Sequence, residues 1–306
     1  MTANQRKINM KEQIMPKNKW LFLIILSTAL LVFLVPLYLF GQGQKGEIGS
    51  LKELIDRYDS ARCKECHGEI YAQWENSHHA RPLMGMDDWI FMSKYLKEGV
   101  LSVKSPNQAT KANFPCAKCH LPQLFKTSDS VAAELAAAVF RDDKKTISRL
   151  NIGCLVCHQD KAVVHGRPEK SALYGSREIK NHEGLPVKKS PLLKDPLFCG
   201  QCHGLGPNLE FENPVQCATL YGSYLHAYLP NGGAQTCQDC HMPGKDHTCL
   251  PNFNDRAGTS ARLRQALPLE VETLGYVFQI EEGKHLPLAV VKTRITNKAG
   301  HRIPDG

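Results

Sequence analysis

The 306 residues carry no phosphate-cradling glycine loop, no nucleophile triad and no pair of carboxylates spaced for acid–base work. Those absences argue against nucleotide-dependent transfer, against hydrolysis by an activated side chain and against glycosidase-like chemistry. Long apolar runs are also missing, apart from one at residues 20–40. Beyond that run the chain is rich in Gly, Pro, Lys and Asp, and segments of that kind bury little surface unaided. What the chain does have is cysteine, twelve in all, ten of which obey a single spelling.

That spelling is C-x-x-C-H. It occurs at Cys63, Cys66 and His67; at Cys116, Cys119 and His120; at Cys154, Cys157 and His158; at Cys199, Cys202 and His203; and at Cys237, Cys240 and His241. These are called motifs I to V below. Two thiols three residues apart can form thioether bonds to a porphyrin edge, and the adjoining histidine can reach the iron from one face. Zinc sites would pair two C-x-x-C motifs and would not demand a histidine after each. Disulfides would not repeat this spacing five times. The cofactor expected is therefore haem c, five copies, covalently bound. Motif starts differ by 53, 38, 45 and 38 residues, too irregular for a solenoid.

The expected organisation is a basic cytoplasmic tail at 1–19, a transmembrane anchor at 20–40, a linker at 41–50, a pentahaem region at 51–265 and a β-strand segment at 266–306. The anchor rests on 21 nearly uninterrupted apolar residues, ~31 Å of helix, with positive charge on the N-terminal side. No A-x-A-like cleavage site follows it. The fold class expected is mainly α, packed around haem with long loops, preceded by a transmembrane helix and followed by a short β segment. Helices are expected near 51–59, 69–79, 87–98, 129–149 and 214–228, and strands at 271–280 and 288–296. Two strands alone are marginal in water, so the last segment reads as an incomplete β domain. Cys217 and Cys249 lie outside the motifs and either pair with each other or stay as free thiols.

The formal charge of +8 does not point to nucleic acid. The tail accounts for half of it, and ten haem propionates would bring the rest to about −1 when ferric and about −6 when ferrous.

Each iron held by one histidine has a sixth position to fill, and a second histidine there closes the haem to substrate. Eight histidines lie outside the motifs: His78, His79, His165, His182, His226, His247, His285 and His301. Five distal ligands can be found among them.

Motif I followed by Tyr71, Trp74, Ser77, His79 and Ala80 resembles the opening of multihaem cytochromes of the cytochrome c-554 type. That resemblance implies that His79, rather than His78, ligates an iron. His165, soon after motif III, resembles a ligand in the same kind of segment. Motif V with Met242, Pro243 and His247 resembles the C-x-x-C-H-M-P…H ending of such proteins, and the segment ending at His226 and Ala227 resembles the helix before it. The G-H-R-I-P-D-G segment at His301 resembles one inside longer multihaem cytochromes. One of His78, His182 and His301 completes the set, and His301 is taken; His285 reads as surface. There is no C-x-x-C-K, the variant that marks the catalytic haem of many nitrite reductases.

The function expected is an inner-membrane-anchored cytochrome with its haem region in the periplasm. It would relay electrons between the quinone pool and periplasmic or extracellular redox partners. The alternatives are a quinol dehydrogenase subunit, a terminal reductase of a small oxyanion and a cytochrome filament subunit.

Overall fold

The computed structural model describes residues 47–85, 88–97, 103–163, 166–182, 184–204, 219–252 and 254–303. The first helix, α1 (Leu51–Arg57), starts where the Ser50 hydroxyl accepts the Glu53 N–H at 3.2 Å. The Glu53 carboxylate in turn accepts the Gly49 N–H at 3.0 Å, satisfying donors that a helix start leaves over. Leu51, Leu54 and Ile55 form its buried stripe.

Short helices follow: α2 (Ala61–Lys64), α3 (Gly68–Glu75), α4 (Phe91–Lys97) and α5 (Ala117–His120). Among the described residues the longest α-helix is α6 (Asp129–Phe140), which has 12 residues and buries Val131, Ala132, Leu135, Ala136, Ala138 and Val139. Its Glu134 carboxylate accepts the Leu51 N–H at 2.7 Å, tying it to α1. A turn of helix, α7 (Lys144–Ile147), is capped by Asp143.

Leu54, Leu83, Met92, Leu96, Phe114, Leu124, Leu135, Ile147 and Val156 belong to one buried cluster drawn from residues 48–156. After Tyr224 no described residue is buried. The first half of the chain therefore packs on side chains. The second half packs too little apolar surface to hold itself, which is the place where a large flat cofactor would have to serve as core.

Two sheets follow. In the first, β1 (Leu173–Gly175) runs parallel to β3 (Leu185–Lys189), and β2 (Ile179–His182) pairs antiparallel with β3 on its other side. Then come α8 (Pro196–His203), α9 (Leu220–Ser223), α10 (Cys237–His241) and α11 (Arg256–Ala266). The second sheet is a hairpin, β4 (Leu269–Glu281) with β5 (Lys284–Ile295), in register from Leu269 opposite Ile295 to Gln279 opposite His285. Gly283 supplies the positive φ of +77° that its tight turn requires. Two ion pairs, Arg294–Glu270 at 3.1 Å and Lys292–Glu272 at 3.7 Å, lie on one face. On the opposite face Leu269, Val271, Val291 and Ile295 are each more than half exposed.

The expected fold class needs correction. Helix makes up about 45% and strand 17%, so the protein is mixed rather than mainly α with a short β tail. The three-stranded sheet falls where only loop was expected. Its strands contain Lys, Asn, His and Pro, and tertiary pairing rather than propensity makes them strands. No helix among the described residues is long and apolar enough to cross a membrane. Even α6, with 12 residues, spans only ~18 Å against a hydrocarbon core of ~30 Å. The expected anchor at 20–40 lies outside the described residues.

Candidate haem centres

Every motif sits on a helical turn. Cys63 lies in α2, Cys119 and His120 in α5, motif IV in α8 and motif V in α10. Cys157 and His158 lie on a π-helical turn, Val156–Asp160. Helical pitch brings cysteines at i and i+3 to one side, with the histidine at i+4 next to them. Motif IV packs closely because its second residue is Gly200, where a Cβ would come within 2.7 Å of the Tyr221 ring on α9.

The motif thiols meet in pairs. Cys63 hydrogen-bonds Cys154, Cys199 hydrogen-bonds Cys237, and Cys202 hydrogen-bonds Cys119, whose Sγ also lies 3.6 Å from the Cys202 carbonyl. The hydrogen bond from Cys63 draws the Cys154 thiol down to about 6, and the one from Cys119 draws Cys202 to about 7. Cys63 and Cys199 are pushed up in compensation. Motif I therefore touches III, and motif IV touches both II and V. Cys157 of motif III also feels the charge of Cys202, after its own burial and Cys249 and Cys154. Cys249 stands among these thiols as a free cysteine, with burial raising it to about 11. Its suggested mate, Cys217, lies outside the described residues.

The histidines meet in pairs as well. The His67 and His182 rings are 5.6 Å apart and within 1° of parallel, with their Nε2 atoms 3.3 Å from each other. His158 and His247 are 6.4 Å apart at 24°, and His241 and His301 are 6.0 Å apart at 20°. His79 and His203 are 6.2 Å apart at 74°. With imidazole nitrogens ~2.0 Å from a metal and ~1.1 Å from their ring centre, two rings on opposite sides of one ion stand ~6.2 Å apart. The separations of 6.0–6.4 Å fit a shared iron, and the His67/His182 pair, with Nε2 atoms 3.3 Å apart against ~4.0 Å across an ion, stands closer than an iron-bound pair and would have to open slightly to admit one.

The other ring nitrogens support the same fit. Nδ1 of His158 hydrogen-bonds the Tyr174 carbonyl at 2.9 Å, and Nδ1 of His247 that of Lys245 at 2.7 Å. Nδ1 of His301 does so with the Arg302 carbonyl and Nδ1 of His120 with that of Pro82, both at 2.9 Å. His241 Nδ1 reaches the Leu250 carbonyl. With Nδ1–H donating, each Nε2 keeps a lone pair for metal. His182 differs, because its buried Nδ1 has no partner. Burial favours the neutral ring at His79, His158 and His241. It lowers His79 to about 4, with help from the charges of His203 and His78, and it lowers His158 and His241.

Local structure sets His79 apart from His78. Trp74 Nε1–H donates to the Ile152 carbonyl at 3.0 Å, and the Ile152 N–H donates to the His79 carbonyl at 2.8 Å. The segment after motif I is thereby pinned to the loop before motif III, and His79 meets His203 while His78 stays exposed.

Among the other expected ligands, His247 and His301 each face a motif histidine. His165 lies outside the described residues. His226 is exposed on the π-helical turn Tyr224–Tyr228 and faces no motif histidine among the described residues. His285 is exposed in β5. His182, at the end of β2, was passed over. Its partner is 115 residues away and no neighbouring residue marks it, so the only sign was the surplus of histidines over motifs. At motif II the ring near His120 is Phe91, 5.7 Å away at 24°.

A family model described as cytochrome c554 and c-prime matches residues 62–159, which contain motifs I to III. No curated protein and no solved structure matches the chain. Attachment motifs for covalent haem, histidine rings set an iron's width apart and this match over about a third of the chain all support the multihaem c-type cytochrome family, whose members are electron-transfer proteins that hold haem c covalently.

Proposed function

We propose that the chain is a periplasmic pentahaem electron relay, exchanging electrons with other redox proteins, in which at least four irons have two histidine ligands. Haem c supplies the chemistry, an iron that changes between ferric and ferrous. The ten motif cysteines hold the five groups, and the pairs His67/His182, His79/His203, His158/His247 and His241/His301 complete four ligand sets. The supporting observation is the spacing of those rings, 5.6–6.4 Å, with the neighbouring carbonyls orienting Nε2. Thiol contacts join motif I to III and motif IV to both II and V, and Gln201 of motif IV donates to the Lys161 carbonyl just after motif III at 2.8 Å, which supports an order I, III, IV and V with II branching from IV. Edges joined to touching sulfur atoms lie close enough for direct exchange.

One observation favours a second reading. Phe91 stands near His120 at the ring spacing that histidines occupy elsewhere, and a phenyl ring cannot ligate iron. If the motif II haem has no sixth ligand, it is open to a small molecule such as an oxyanion, and the protein is a reductase fed by the other four.

Intact-protein mass spectrometry and the oxidised electron paramagnetic resonance (EPR) spectrum test both readings. The relay requires five haem masses and low-spin iron throughout. The reductase requires one high-spin haem that shifts on adding nitrite. Four or fewer haems in a host competent for cytochrome maturation would contradict the pentahaem proposal.

A further inference from the structure

The ends of the line of motifs differ in which charges stand beside the ligand histidines. At motif I, Glu65 and Glu69 lie within two residues of His67, with Lys64 and Arg62 three and five residues before it. At motif III, the acid near His158 is Asp160, which is held by Lys126 and by the Tyr58 hydroxyl at 2.7 Å. Motif V has an arginine on each side of its histidine pair. Arg262, on α11, donates from Nη1 to the Cys240 carbonyl at 3.1 Å, one residue from His241. It also lines a cleft of about 150 Å³ with Leu250, Asn252, Asp255 and Thr259. Arg302 follows His301 directly, its carbonyl takes the His301 Nδ1–H, and its own N–H donates to the Ser223 hydroxyl at 3.0 Å. Its guanidinium is fixed on the Thr219 hydroxyl. Among the described residues the nearby acids are Asp239, engaged with the Thr236 N–H at 2.8 Å, Asp246, engaged with Thr248, and Asp255, engaged with the Gly258 N–H at 2.9 Å. Lys245 adds a third base.

A guanidinium stays charged at every working pH. Ferrous haem carries one positive charge fewer than ferric haem, so a fixed positive charge beside the ligands favours the reduced form. We propose that Arg262 and Arg302 make the His241/His301 site the highest-potential site of the relay, so that electrons collect at the motif V end and leave the protein there. This rests on the relay reading above.

The contact of the Arg262 guanidinium with the Cys240 carbonyl, one residue from His241, places its charge within electrostatic reach of the site. Because both arginines are exposed, salt should screen part of the effect.

The test is a spectroelectrochemical titration of the holoprotein, with His301→Ala marking which component belongs to motif V. Arg262→Gln and Arg302→Gln should each move the highest-potential component downward, and the double variant should move it further. Arg262→Lys, which keeps the charge, should restore most of the shift. The difference from wild type should shrink at high salt. An unmoved highest component in both Gln variants, or an equal shift in Arg262→Lys and Arg262→Gln, overturns the proposal. If His301→Ala leaves every haem low-spin, the ligand reading fails instead, and the two failures are distinct. Should a Gln variant lose haem, Arg262→Lys and the salt dependence of the wild-type potential still decide.

Discussion

The Nε2 atoms of His67 and His182 face each other at 3.3 Å, with the two rings within 1° of parallel, across 115 residues of chain. One ring follows an attachment motif and the other ends an edge strand. The strand exists because β3 pairs with it, and the histidine is delivered by that pairing. A sheet of three short strands thus sets a histidine opposite the histidine of an attachment motif carried on a helical turn.

Replacing His182 by Ala is expected to turn one low-spin haem high-spin, as read by EPR of the oxidised protein. Replacing His226 by Ala is expected to leave the spin count unchanged, because that exposed ring faces no motif histidine. The reverse outcome would mean that the geometry at β2 is not that of the haem-bound protein.

Trp74 and His79 stood out by their register after motif I, because the pattern is local, and the structure sets the His79 ring 6.2 Å from that of His203. Trp74 bonds the Ile152 carbonyl and the same segment carries the histidine. The motif cysteines and histidines were legible for the same reason. The helix over α6 followed from alanine-rich propensity, and the hairpin from β-branched alternation. His182 and the sheet that carries it were not legible, since Ile179-Lys-Asn-His182 has neither a strand pattern nor a ligand pattern of its own. The line of motifs from I through III and IV to V was equally hidden, because it depends on which helices pack together rather than on sequence order. The expected role of His226 came from likeness to a helix whose residues match but whose histidine here points to solvent.

Acid should release His79 late. Burial depresses its folded-state value from near 6.5 to about 4. Below about 6.5 the unfolded chain takes up a proton that the folded ring refuses, so the stability from this group is complete above about 6.5 and is lost as the pH falls through about 4. An acid titration followed by the low-spin optical spectrum should therefore show the His79/His203 site intact at pH 6 and lost only at or below about pH 4, since iron on Nε2 resists the proton further. Loss already at pH 6 would contradict the buried placement of the ring.

Packing energy should be uneven along the chain. Leu135 is 1% exposed in α6, and Leu135→Ala should cost ~2–5 kcal/mol in denaturant unfolding of the holoprotein. Val291 is 58% exposed on the hairpin, and Val291→Ala should change stability by less than ~0.5 kcal/mol. A large loss at Val291 would show that this face is covered.

Gly200→Ala would place a methyl group against the Tyr221 ring, where the ideal Cβ position is only 2.7 Å from Cγ. Overpacking of this kind costs ~1–3 kcal/mol, so this variant should melt earlier than wild type. The double variant with Tyr221→Ala should recover part of that loss. No recovery would place the strain elsewhere.

The paired histidines are tested most directly by near-infrared magnetic circular dichroism of the oxidised holoprotein, which counts irons held by two histidines without interference from coupling between neighbouring haems. The account predicts at least four bis-histidine haems per chain, with motif II the only site free to differ. Three or fewer would contradict it.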